Sequence, residues 1–96
     1  MLTSKQRAFL RAMANNLAPA AQIGRQGVTP EAVRSLDEAL EAREIVKVTV
    51  LNNCEEEPKA VAETLAGRTR AEVVQVIGNK VVVYRKSRTK QGIELP

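Results

Sequence analysis

The stretch Glu72-Val73-Val74-Gln75-Val76-Ile77-Gly78-Asn79-Lys80-Val81-Val82-Val83-Tyr84-Arg85-Lys86 decides how this chain folds. Two valine-rich runs flank a Gly-Asn pair. β-Branched side chains are stiff and pack well on a pleated surface. Glycine at the first position of a two-residue loop suits a type II′ turn, whose twist matches that of the flanking strands. The stretch therefore predicts a hairpin over residues 72–77 and 81–86. With that loop, Val76 faces Val81 and Val74 faces Val83 on one side, while Val73, Gln75, Val82 and Tyr84 take the other.

The segments before the hairpin alternate between helix and strand. Residues 55–68 read as a helix opened by Glu55-Glu56-Glu57-Pro58, with acids at its positive end, arginines at its negative end and an apolar stripe of Val61, Ala62 and Leu65. Residues 45–51 alternate as a strand, with Val46, Val48 and Val50 on one side and Lys47 and Thr49 on the other. Thr29-Pro30-Glu31 is a helix start, with Thr as cap and Pro at the first helical position. That helix runs to about residue 42, carrying Leu36 and Leu40 on one face and Asp37, Glu38 and Glu41 on the other. Residues 18–23 form a short strand with Pro19 near its start. Residues 3–15 form a first helix, whose Thr3-Ser4-Lys5-Gln6 fits a capping box. Its Phe9, Leu10, Met13 and Leu17 face the core, and Arg7 and Arg11 share the opposite side.

The order α-β-α-β-α-β-β predicts an α/β domain, a two-layer sandwich with a four-stranded mixed sheet. Residues 1–86 make the single domain and residues 87–96 a basic C-terminal tail. Length agrees, since 96 residues suffice for one modest core.

Composition removes most chemistry. There is no His and no Trp, with one Cys, one Phe and one Tyr. Without His there is no Ser-His-Asp triad, no Cys-His dyad and no imidazole metal ligand. A lone Cys54 forms no intramolecular disulfide, which favours a reducing cytosol. Two aromatics are too few for a base-stacking platform. Residues 55–57 read as an acidic helix turn rather than a cation site. No enzyme, cofactor or metal is expected. The start of the chain shows no apolar leader and the apolar runs are short, so a soluble, cytoplasmic protein without membrane contact is expected.

The formal charge of +4 is unevenly spread. Residues 1–30 carry +4, residues 31–63 carry −5 and residues 64–96 carry +5. Such an order lets a fold gather both basic ends on one surface and turn the acidic middle away from an anionic partner. A solvated surface of mixed sign fits the same arithmetic.

The sharpest local signal is Ile23-Gly24-Arg25-Gln26-Gly27-Val28-Thr29-Pro30. Two glycines around two polar residues, between a strand and a helix start, let a sugar-phosphate backbone come close. Helix N–H groups and the Arg25 guanidinium favour anions there. KH-type GxxG loops clamp nucleic acid by the same physics.

Ile23-Gly24-Arg25-Gln26-Gly27-Val28-Thr29, Glu44-Ile45-Val46-Lys47-Val48, Val74-Gln75-Val76-Ile77-Gly78 and Val83-Tyr84-Arg85 together resemble the CRM domain, the chloroplast RNA splicing and ribosome maturation domain, in its stand-alone bacterial YhbY-like form. The resemblance extends over nearly the whole chain, from Leu2-Thr3-Ser4-Lys5-Gln6-Arg7 to Ile93-Glu94-Leu95-Pro96. It implies a fold similar to the C-terminal domain of bacterial translation initiation factor three, RNA binding and association with precursors of the large ribosomal subunit. By that likeness Gly24, Arg25, Gln26 and Gly27 form the RNA-contacting loop. Members often carry Lys in place of Arg25, and a Gly near the position of Arg70.

The expected function is that of an RNA-binding assembly factor, a monomer acting on the rRNA of pre-ribosomal particles. Beside the loop, the candidate RNA contacts are Arg7 and Arg11, Lys47 in mid-strand, and the cluster Arg85, Lys86, Arg88 and Lys90. The rival readings are a DNA-binding protein and a protein-interaction module that uses the acidic second helix.

Overall fold

The computed structural model describes residues 2–89 and 92–96. Its elements are α1 (Ser4–Ala14), β1 (Ala21–Ile23), α2 (Pro30–Arg43), β2 (Ile45–Val50), α3 (Pro58–Thr69), β3 (Glu72–Ile77) and β4 (Lys80–Tyr84), in the expected order. The expected caps form. Thr3 and Gln6 exchange both bonds of the capping box at the start of α1, and the Thr29 hydroxyl accepts from the Ala32 N–H ahead of α2. Helix α3 begins later than expected. Glu57 is its cap residue, so residues 55–57 lie in the loop before it instead of in its first turn.

The four strands order as β1-β2-β4-β3. β1 pairs parallel to β2, and β4 pairs antiparallel to both β2 and β3, so the sheet is mixed. One face carries Val46, Val48, Val50, Val81 and Val83 and packs beneath α2 and α3 through Leu36, Leu40, Val61 and Leu65. The other carries Ile45, Val74, Val82 and Tyr84 and packs against Leu10 and Ala14 of α1. The expected α/β fold with a four-stranded mixed sheet is present, and α1 covers part of the second sheet face, which is also apolar.

The hairpin turns at Gly78-Asn79 with positive φ at Gly78 alone, as a type II′ turn requires. Val76 pairs with Val81 as expected. Further from the turn the register slips at a bulge between Val73 and Gln75, so Val83 faces Val73 instead of Val74. An extra residue in one strand reverses which side chain points to which face. Val74 is thereby delivered to the α1 cluster and Val73 to the α2–α3 cluster. The Arg7 guanidinium donates to the Val73 carbonyl at this place.

The end of the chain is bound to the body. Arg85 continues the ladder by donating its N–H to the Glu44 carbonyl at 2.9 Å. Beyond it, Glu41 Oε2 accepts from the Ser87 hydroxyl, the Arg88 and Thr89 N–H groups and the Thr89 hydroxyl, at 2.8–2.9 Å. Glu44 is buried and accepts from the N–H groups of Ser87, Gly92 and Ile93. Ile93 and Leu95 pack on the α1 cluster. Residues 87–89 and 92–96 therefore lie against the fold rather than apart from it.

Candidate nucleic-acid interface

The loop between β1 and α2 is a tight turn. The Gly27 N–H donates to the Gly24 carbonyl at 2.9 Å, and Gly27 has φ +69°, a conformation costly for a residue with a Cβ. Arg25 and Gln26 occupy the tip and are exposed. A Cβ at Gly24 would stand 3.2 Å from Asn53 Oδ1 and 3.3 Å from Leu51 Cδ1, so the loop lies close against the segment that follows β2. Strand pairing holds the base of the turn: the Leu51 N–H donates to the Ile23 carbonyl at 2.8 Å. An exposed tip on a fixed base suits a ligand whose position is set by its backbone.

The surroundings of the loop are asymmetric. One side opens into a groove of about 400 Å³ bordered by Gln22, Thr29, Leu51 and Asn53, all uncharged. The other side borders a hollow of about 220 Å³ shared with Cys54, Glu55 and Glu56. A phosphate at Arg25 meets neutral amides on one flank and carboxylates on the other. The α2 N-terminus contributes less than the sequence suggests. Pro30 has no N–H, the Ala32 N–H is bonded to the Thr29 hydroxyl and Glu31 stands in the first turn. Attraction for an anion falls on Arg25 and the loop.

The remaining candidates separate. Arg85 is only 8% exposed, and its guanidinium is held by Asp37, by Glu41 Oε1 at 3.3 Å and by the Thr69 carbonyl at 2.9 Å. It ties α2 to the end of α3 and is turned inward, away from solvent. Charge pairing of the acidic helix with the basic end of the chain is the physical reason. Lys86 and Arg88 are exposed but stand past the end of β4, at the end of the sheet opposite the loop. Five residues of strand separate the two ends, roughly 17 Å. The two basic thirds are accordingly not gathered beside the loop. Lys90 lies outside the described residues. Arg7 and Arg11 are half-buried along one side of α1, with Arg7 bonded to β3. Lys47 lies on the α1 face of the sheet, opposite Val82. The sequence reading missed Glu41 and Glu44 as anchors and Lys80 as a neighbour of Lys47; only the strand register brings Lys80 onto that face.

The family model for the CRS1 / YhbY (CRM) domain matches residues 2–85. A Bacillus subtilis protein named "Probable RNA-binding protein YqeI" is 49% identical over 96 residues, covering 100% of both chains. A Haemophilus influenzae protein named "RNA-binding protein" is 33% identical over 95 residues, covering 99% of this chain and 95% of the relative. The solution structure of the hypothetical protein SAV1595 from Staphylococcus aureus superimposes with a TM-score of 0.84 at 47% identity, over 100% of both chains. Fold and sequence thus agree, and the chain belongs to the CRS1 / YhbY (CRM) domain family.

Proposed function

We propose that this chain is an RNA-binding protein that acts without catalysis as an assembly factor of the large ribosomal subunit, holding the rRNA of pre-ribosomal particles in the cytoplasm as a monomer. The observation that carries the reading is the exposed Arg25-Gln26 tip on a glycine turn, in a chain whose relatives are named RNA-binding proteins. Residues 24–27 approach the sugar-phosphate backbone, and Arg25 forks onto a phosphate. Such contacts position an RNA and read its shape more than its sequence. Arg11, Lys86 and Arg88 add longer-range attraction that salt screens. The acidic α2 favours this reading over a protein-interaction module, because Asp37 and Glu41 are engaged by Arg85 and residues 87–89.

Sedimentation of cell extract through a sucrose gradient tests the assembly role. The protein is expected to travel with large-subunit precursors, and the Arg25→Glu variant to stay near the top. Wild-type protein that stays at the top overturns the assembly role.

A further inference from the structure

The α1 face of the sheet is only half covered. Leu10 and Ala14 of α1 close over Ile45, Val74, Val82 and Tyr84, but the helix ends at Ala14. Past its end a groove of about 210 Å³ stays open, with Val82 as its floor and Asn15, Lys47, Gln75, Ile77 and Lys80 around it. Ile77 is 61% exposed, an apolar side chain left in water. No carboxylate lines the groove, and among the described residues neither lysine has an acidic partner. The nearest bond of Lys80 is a long one, 3.4 Å, to Asn79 Oδ1.

We propose that this groove is a second RNA contact and takes a single-stranded segment, with phosphates on Lys47 and Lys80 and an unpaired base against the exposed Ile77. The proposal rests on the RNA-binding reading and names the part of the RNA that reading leaves open. Two cations with no acid nearby suit a polyanion, and lysine carries its charge to the rim while its stem lies on apolar surface. The amides of Asn15 and Gln75 each offer donors and an acceptor, which match base edges. Only an unstacked base presents both its face and its edges, so a duplex does not fill the site.

The place in the fold agrees. The loop follows β1, and Lys80 opens β4 at the same end of the sheet, where the Val50 N–H donates to the Asn79 carbonyl at 2.7 Å. Two strand spacings, about 10 Å, separate β1 from β4. With Glu55 and Glu56 on the α3 side of the loop, an RNA held at Arg25 is repelled there and directed towards the α1 face.

The test is a titration of the full chain with a ten-nucleotide single-stranded RNA of mixed sequence, followed by NMR and by affinity across salt concentrations. The side-chain amide signals of Asn15 and Gln75 and the methyl signals of Ile77 are expected to shift. The double variant Lys47→Gln/Lys80→Gln is expected to bind more weakly, with a salt slope smaller by about 1.4, the value for two phosphate contacts on a single strand. Lys59→Gln, on the α3 side, leaves both unchanged. If the RNA binds with full dependence on Arg25 while these signals stay still and the double variant keeps the wild-type slope, the groove is not a contact and the loop reading stands. If the wild-type chain binds neither this RNA nor an rRNA fragment, both readings fall.

Discussion

Glu44 Oε1 accepts the Ile93 N–H at 2.8 Å, joining the residue that enters β2 to the last apolar stretch of the chain. The other carboxylate oxygen accepts the Ser87 N–H at 2.7 Å, and Oε1 also accepts from Gly92 at 3.1 Å. Glu44 is 2% exposed, and its φ of +69° is one that non-glycine residues rarely adopt. Burial pushes its carboxyl up, yet the three N–H bonds and the Lys86 charge outweigh burial and hold it below the usual range.

Replacing Glu44 by Gln removes the charge and one acceptor while the three N–H donors remain. Hydrogen bonds to charged groups contribute about 1.5–3 kcal/mol each, and one such loss is expected here. Urea unfolding should show a loss of about 2 kcal/mol, and the Ser87, Gly92 and Ile93 amides should exchange faster than those of β4. Protection unchanged at those three amides would contradict the anchoring role.

Acid should act on the same segment. The Glu41 carboxyl falls from 4.5 to about 2, chiefly through the Thr89 hydroxyl, then the Arg88 N–H and the Ser87 hydroxyl, against a smaller effect of burial. Glu44 is shifted in the same direction. Both bind protons more readily in the unfolded chain, so their contribution is complete above about pH 5 and declines as pH falls towards 2. The urea midpoint should therefore drop across that interval, and Glu41→Gln should flatten the drop. An equal pH slope in wild type and variant would refute the assignment.

Arg85→Ala leaves the Thr69 carbonyl and two carboxylates without their cation. Asp37 is partly exposed and can rehydrate, so the cost should sit near the low end for a broken buried pair, about 3 kcal/mol. Because the guanidinium is turned inward, the salt dependence of RNA binding by the folded variant should match wild type. A slope smaller by one phosphate contact would place Arg85 on the RNA surface after all.

Arg70 caps α3 in the left-handed region, with φ 61° and ψ 30°. Glycine takes that conformation without the Cβ clash. Arg70→Gly should raise stability by about 1 kcal/mol, or roughly 4–8 °C in Tm for a domain of this size, read by calorimetry. The glycine that family members often carry near this position has the same explanation. A lowered Tm would mean that the Arg70 side chain contributes more than its backbone conformation costs.

Features set by neighbours in sequence were legible. The Thr3 and Thr29 caps, the Gly78 turn and the alternation of β2 each follow from a few adjacent residues. The bulge at Val74 was not, because it answers to α1 packing from another part of the chain. Glu41 and Asp37 read as a solvated helix face, since a helical period cannot tell water from a distant arginine. The loop was legible as a turn, and its acidic flank was not: residues 55–57 read as helix, whereas the structure places them before α3, with Glu55 and Glu56 beside Gly27. Lys80 falls just before the expected second hairpin strand, and strand register alone sets it near Lys47.

The measurement that tests the account most directly is the affinity of wild type and Arg25→Glu for a large-subunit rRNA fragment, titrated at several salt concentrations. Arg25 is exposed at the loop tip, so the variant should unfold at the wild-type urea midpoint. Its affinity should fall at least tenfold, the equivalent of about 1.4 kcal/mol, with a shallower salt slope. Equal affinity and equal slope in the two proteins would contradict the assignment of residues 24–27 as the RNA-binding loop.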